Sequence, residues 1–182
     1  MRKRFNTQIG VDETLIDKKI LYRDTMSMNE TIISNWNSVV SKDDVVYHLG
    51  DVSFDNPVKT KEILSRLNGT IYLVKGNHDK WRDIKKFSDR FADIYDYKEI
   101  KYTLLNKEYH IIMMHYPIAS WNRRMYGSIH FFGHCHGKYT QPGRCFDVGM
   151  DTEFANFTPI NIEDAINRAN NLDLALHADR GR

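Results

Sequence analysis

The chain runs to 182 residues, enough for one domain with a sizeable core, and its 41% apolar and 27% charged residues exclude a disordered or membrane-embedded class. Its net charge of +2 neither demands nor excludes a nucleic-acid partner. A membrane span of about 20 apolar residues is absent, as is an apolar leader after Met1-Arg2-Lys3-Arg4, and Cys135 and Cys145 form no Cys-x-x-Cys knuckle or disulfide framework; a single cytoplasmic domain over residues 1–182, with free thiols, is expected.

In chain order, residues 5–11 read as a short, poor strand ending near Gly10, and 12–19 as the start of a helix. A better helix is predicted over 28–40, where Ser27 and Glu30 have the spacing of a capping box. Ile32, Ile33, Trp36, Val39 and Val40 recur there at helical spacing. Asp43-Asp44 turns the chain into a strand over 45–49. Residues 57–67 predict a helix with proline in its first turn, where a missing N–H costs nothing, closed by Asn68-Gly69. A strand over 71–75 follows, then a helix over 81–91 lying above the site. Residues 94–105 and 108–114 read as two strands joined through Asn106-Lys107. Further strands are expected at 128–132, 144–148 and 157–162. The span 161–171 reads as a helix whose Glu163-Asp164 complement the macrodipole, and the tail after Leu176 as frayed. Alternating helices and strands, then strands in succession, predict a layered α/β sandwich.

Several of these strands end in the same chemistry. The first delivers Gly50-Asp51, and others run into Gly76-Asn77-His78-Asp79, His115-Tyr116-Pro117, Gly133-His134-Cys135-His136-Gly137 and Gly149-Met150-Asp151. Open α/β sheets keep their ligands at the carboxyl ends of strands. Asp, Asn and His there form the donor set of a divalent cation, Mn²⁺ first, with Fe²⁺, Zn²⁺ and Ni²⁺ as alternatives. One or two ions fit this set, and a pair about 3.5–4 Å apart clamps a phosphoryl group and activates water. In an extended segment residues i and i+2 point the same way, so His134 and His136 can approach one site. A lone Gly-Asp after a strand is commonplace; the combination carries the metal reading.

In order and spacing, Gly50-Asp51, Gly76-Asn77-His78-Asp79, His115 and Gly133-His134-Cys135-His136 resemble the calcineurin-like metallophosphoesterases. Tyr47-His48-Leu49-Gly50-Asp51-Val52, Tyr116-Pro117 and Ser120-Trp121-Asn122 look like the small single-domain bacterial and phage members. The resemblance implies a four-layer αββα sandwich with a dinuclear centre between two sheets. It implies that Asp51 bridges the metals, that Asn77, His115 and His134 complete one site, and that His136 belongs to the other. His78 is implied to contact phosphate or protonate the leaving oxygen.

The chain departs from the family at its first motif. Where the family has Asp-x-His, the matching stretch reads Asn6-Thr7-Gln8, and a second histidine position holds Val11. Asn and Gln are neutral amide donors that bind transition metals more weakly than carboxylate or imidazole. One site therefore reads as intact and the other as degenerate at Asn6 and Gln8, with Asp12 and Glu13 as the nearest substitute carboxylates. Arg123 and Arg124 are candidates to clamp a phosphate, with solvated loop arginines the alternative. Tyr116, Trp121, Tyr126 and Trp81 either stack a base or pack. His48 and His130 either orient ligands or serve the core, and Asp147 and Asp151 support the site from behind. The function expected is metal-dependent hydrolysis of a phosphomonoester or phosphodiester. The alternatives are an impaired member that binds a nucleotide or phosphorylated partner without turnover, and a structural module that keeps only the fold.

Overall fold

The computed structural model describes residues 3–6 and 25–172. Strands and helices alternate through the first half: β1 (Lys3–Asn6), α1 (Thr25–Val39), β2 (Val45–His48), α2 (Pro57–Ser65), β3 (Thr70–Val74), α3 (Trp81–Ile84) and β4 (Phe91–Tyr95). The second half is strand-rich: β5 (Lys98–Leu104), β6 (Lys107–Met113), β7 (Ile129–Phe132), β8 (Cys145–Asp147), β9 (Ile160–Asn161), then α4 (Ile162–Asn170). Two sheets result, β4-β3-β2-β1-β9 and β5-β6-β7-β8. In the first, β1 to β4 are parallel and β9 is antiparallel to β1. In the second, β5 and β6 form an antiparallel hairpin, and β6, β7 and β8 run parallel. Parallel strands place their carboxyl ends on one edge, and the candidate ligands follow from that.

The alternation of side chains sorts the layers. Val45, Tyr47 and Leu49 of the first sheet pack against Ile111, Met113, Ile129 and Phe131 of the second, which makes the sheet-on-sheet core. Val46, Ile71 and Leu73 face the other way, onto Ile32, Ile33 and Trp36 of α1 and Ile63 and Leu64 of α2. The outer face of the second sheet buries Ile112, Phe132 and Cys145 under Trp121. The loop carrying Trp121 contains one short 3₁₀ turn, Arg124–Tyr126. The architecture is the α/β sandwich of two sheets expected from the sequence, with α1 and α2 over the first sheet.

Four local expectations need correction. The first strand is Lys3–Asn6, displaced towards the amino end, and residues 7–24 lie outside those described, as does the tail from 173. Helix α1 already includes Thr25, so Ser27 lies inside it. Glu30 makes no capping box and instead forms a fork with Arg66 of the α2 C-cap, both contacts at 2.6 Å. The helix expected over 81–91 stops at Ile84; a 3₁₀ turn, Ser88–Arg90, follows, and Phe91 opens edge strand β4. The β5–β6 hairpin turns at Leu105-Asn106, both with positive φ (49° and 62°), one residue before the predicted corner. Positive φ at both central residues is the turn geometry that matches the twist of the flanking strands.

Candidate metal centre

The site is built where β2, β3, β6 and β7 end. After His48 the chain turns sharply through Gly50, at φ 92°, and passes against Gly76 from the end of β3. A Cβ on Gly50 would lie 2.3 Å from the Gly76 amide nitrogen and 2.7 Å from Nδ1 of His115; one on Gly76 would lie 2.2 Å from Oδ1 of Asp51. Only two glycines permit this approach, and it brings Asp51 into line with His115 from the second sheet.

His115 is buried. Its Nδ1 lies 2.7 Å from the Leu49 carbonyl oxygen. A carbonyl only accepts, so Nδ1 carries the proton and Nε2 presents its lone pair in the neutral ring. That Nε2 lies 3.0 Å from Oδ1 of Asn77 and 3.4 Å from Oδ2 of Asp51. Ligand atoms of Asp51, His115 and His134 all fall within 4.8 Å of one another. Nε2 of His115 and the side-chain oxygens of Asn77 and Asp51 converge here, an arrangement that suits a cation. A ring whose Nδ1–H is spent on a backbone carbonyl is how metal-ligating imidazoles are oriented. The donor set therefore fits a divalent cation.

The electrostatics agree. Burial works to raise the pKa of Asp51, but the His115 ring beside it and the hydrogen bond from the His78 amide outweigh it and hold the carboxyl below its ordinary range. The His78 amide donates to Oδ1 of Asp51 at 2.9 Å. Burial works to depress His115, and its contacts with Asp51 and the Leu49 carbonyl raise it overall. His134 is lowered, by burial first and then by the charge of His115.

Asp51, His134 and His136 are all held in the left-handed region, at φ 53°, 67° and 52°. Residues other than glycine adopt it at a cost, and such residues collect at functional sites. His136 lies outside the 4.8 Å cluster. Its Nδ1 lies 2.5 Å from Oδ2 of Asp151, which fixes the orientation of the ring. Asp147 accepts from the amides of Gly137 and Gly149 and so braces the loop that carries His136. The side chain of His78 is exposed, with its ring edge-on to Phe54 at 4.8 Å. β1 ends at Asn6, in register with His48, so its last residue lies beside the strand that delivers Asp51. Gln8, Val11, Asp12 and Glu13 lie outside the described residues.

The phosphate clamp expected of the two arginines finds no support for Arg124. Its guanidinium lies 5.1 Å from the Trp121 ring centroid, and its Nη2 donates to the Pro142 carbonyl. Arg123 is exposed and lies over Tyr126. Trp121 is core, whereas Tyr116 packs its ring against both His115 and His134. His48 and His130 are wholly buried, and burial pushes them down to about 3 and about 4 respectively.

One residue of the site escaped the sequence reading. Asp79 was seen only as the end of a motif. Its carboxylate accepts from the amides of Asp51 (2.7 Å), Val52 (2.9 Å) and Gly76 (2.8 Å), and so staples the loop after β2 to the loop after β3. The signal available was its place one residue after His78.

Parallel strand ends converging on an Asp–His cluster at the seam of two sheets define an α/β protein with a cation site. The sequence model of the family described as calcineurin-like phosphoesterase matches residues 21–138. An uncharacterized protein from Methanocaldococcus jannaschii is 33% identical over 144 residues, which is 75% of this chain and 72% of that one. The crystal structure of a protein of unknown function from Aquifex aeolicus superposes with a TM-score of 0.62 at 23% identity, covering 92% of this chain and 98% of that one. The chain belongs to the calcineurin-like phosphoesterases, a family of metal-dependent hydrolases. Among the described residues no helix is long and apolar enough to cross a membrane.

Proposed function

We propose that the chain hydrolyses a phosphoester, monoester or diester, with one divalent ion held by Asp51, Asn77, His115 and His134, Mn²⁺ being the first choice. The observation that carries this reading is the His115 ring, whose Nδ1–H is committed to Leu49 while Nε2 faces two side-chain oxygens. A bound ion there supplies positive charge to the phosphoryl oxygens and lowers the pKa of water. The protein contributes the rest. Asp79 and the paired glycines fix the position of Asp51. In this reading His78, exposed and with its amide anchored on Asp51, would pass a proton to the leaving oxygen.

A second reading follows from the amide residue Asn6 at the end of β1. With Asn6 and Gln8 in place of Asp and His, a second ion is weakly held and turnover is slow, and in the limit the chain binds a nucleotide or phosphorylated partner without cleaving it. Metal analysis after dialysis and Mn²⁺-dependent hydrolysis of bis(p-nitrophenyl) phosphate decide between the two. The first reading expects one retained ion and turnover abolished by Asp51→Asn. Restoring Asn6→Asp with Gln8→His should then raise the rate by about 10²-fold, the scale of one well-placed charge-stabilising group. Two ions retained by the wild-type chain would overturn the weakened second site. Absence of turnover in both proteins, with metal still bound, would favour the binding module.

A further inference from the structure

A cavity of about 370 Å³ opens beside His78, between the loop after β2 and the start of α3. Its size lies in the range of small-molecule sites. Thr60, Ile84 and Phe87, all buried, contribute to its lining, with Ser53, Phe54, Asp55, Lys80 and Asp83 around them. Most of the polar groups are already engaged. Asp55 pairs with Lys59, the Ser53 hydroxyl accepts from the Asp55 amide, and the Asn56 side chain caps α2. Phe54 stands apart from them as an apolar group: its ring edge meets His78, yet the residue remains 48% exposed. A large aromatic ring exposed at a cavity, in contact with the histidine that the proposed function assigns to the leaving oxygen, offers a stacking surface for a planar base.

We infer that this cavity is the leaving-group subsite and that it takes the nucleoside of a nucleotide phosphoester, with the base lying on Phe54. The inference rests on the phosphoesterase reading for the placement of the phosphate near His78 and adds the substrate class. Stacking of a base on an aromatic side chain is sequence-tolerant and commonly changes affinity by tenfold or more. Phe54 sits on a surface loop, so its removal opens no core.

The test uses binding, so that turnover plays no part. The purified protein is titrated calorimetrically with the non-hydrolysable methylene phosphonate of adenosine and with the corresponding ribose phosphonate, which lacks the base. The adenosine compound should bind about tenfold more tightly. Phe54→Ala should bring the two within about twofold, leaving the ribose compound unchanged, and Phe54→Trp should restore the gap. Equal affinities in the wild-type chain, no binding of either compound, or a gap that survives Phe54→Ala would overturn the subsite. A chain that cleaves the aryl diester but shows no gap keeps the hydrolase reading and loses this one. A chain that shows the gap and cleaves nothing does the reverse.

Discussion

Three of the candidate ligand residues, Asp51, His134 and His136, occupy left-handed backbone that a glycine would adopt freely. Their side chains hold these positions against a local cost of about 1–2 kcal/mol each. His134 separates the two effects because it is exposed. His134→Ala and His134→Gly both delete the imidazole, but only alanine keeps the strained Cβ. Without metal the glycine variant should therefore be about 1 kcal/mol more stable than the alanine variant in urea unfolding. Both should lose most of the rise in melting temperature that Mn²⁺ confers on the wild type. Equal stabilities would mean that the backbone there is relaxed. His130 gives a pH prediction. Burial holds its folded pKa at about 4 while the unfolded chain titrates at the ordinary 6.5. The neutral ring is the native form, so its contribution is present above pH 6.5 and is lost as pH falls towards 4. The slope approaches about 1.4 kcal/mol per pH unit once the unfolded chain is protonated. His130→Asn should flatten the wild-type loss of stability between pH 6 and 5 by roughly 1 kcal/mol. An unchanged slope would show that the ring is protonated in the folded chain.

At the scale of elements, the site depends on how closely two loops approach. Gly50 and Gly76 meet backbone to backbone, and Asp79 closes the junction by accepting three hydrogen bonds from backbone amides. Gly50→Ala drives a methyl group into both Gly76 and His115, closer than van der Waals contact allows, and strains a φ of 92°. It should cost about 2–4 kcal/mol and abolish metal-dependent stabilisation. Asp79→Asn keeps one acceptor oxygen for three donors and should cost about 1–3 kcal/mol. Calorimetric melting checks both, and a neutral Gly50→Ala would show that the loops can separate. The sequence made the ends of these strands readable because Gly beside Asp, Asn or His is a local signal. It concealed β4 because Trp81, Ile84, Phe87 and Phe91 recur every three or four residues, the spacing of a helix, whereas the chain puts the first two in a short helix, Phe87 just before a 3₁₀ turn and Phe91 in an edge strand. The role of Asp79 was hidden for another reason. Its partners, apart from Gly76, lie more than 25 residues away, and no local pattern announces a long-range staple.

On the scale of the whole molecule, the candidate ligands come from both sheets: Asp51 follows β2 and Asn77 follows β3 in the first, His115 follows β6 and His134 follows β7 in the second. Between them the Leu49 carbonyl and His115 ring already form one hydrogen bond across the seam, and Gly133 donates to the His115 carbonyl within the second sheet. An ion coordinated by this set acts as a rivet. It adds a fastening at one edge of a sandwich joined mainly by its apolar interior, so the two sheets should breathe less independently when it is in place. Amide exchange in β2 and β6 should then slow together on adding Mn²⁺, while exchange in β5, at the far edge of the second sheet, should change little. A bound ion would also set the mechanical stiffness of the scaffold that positions it.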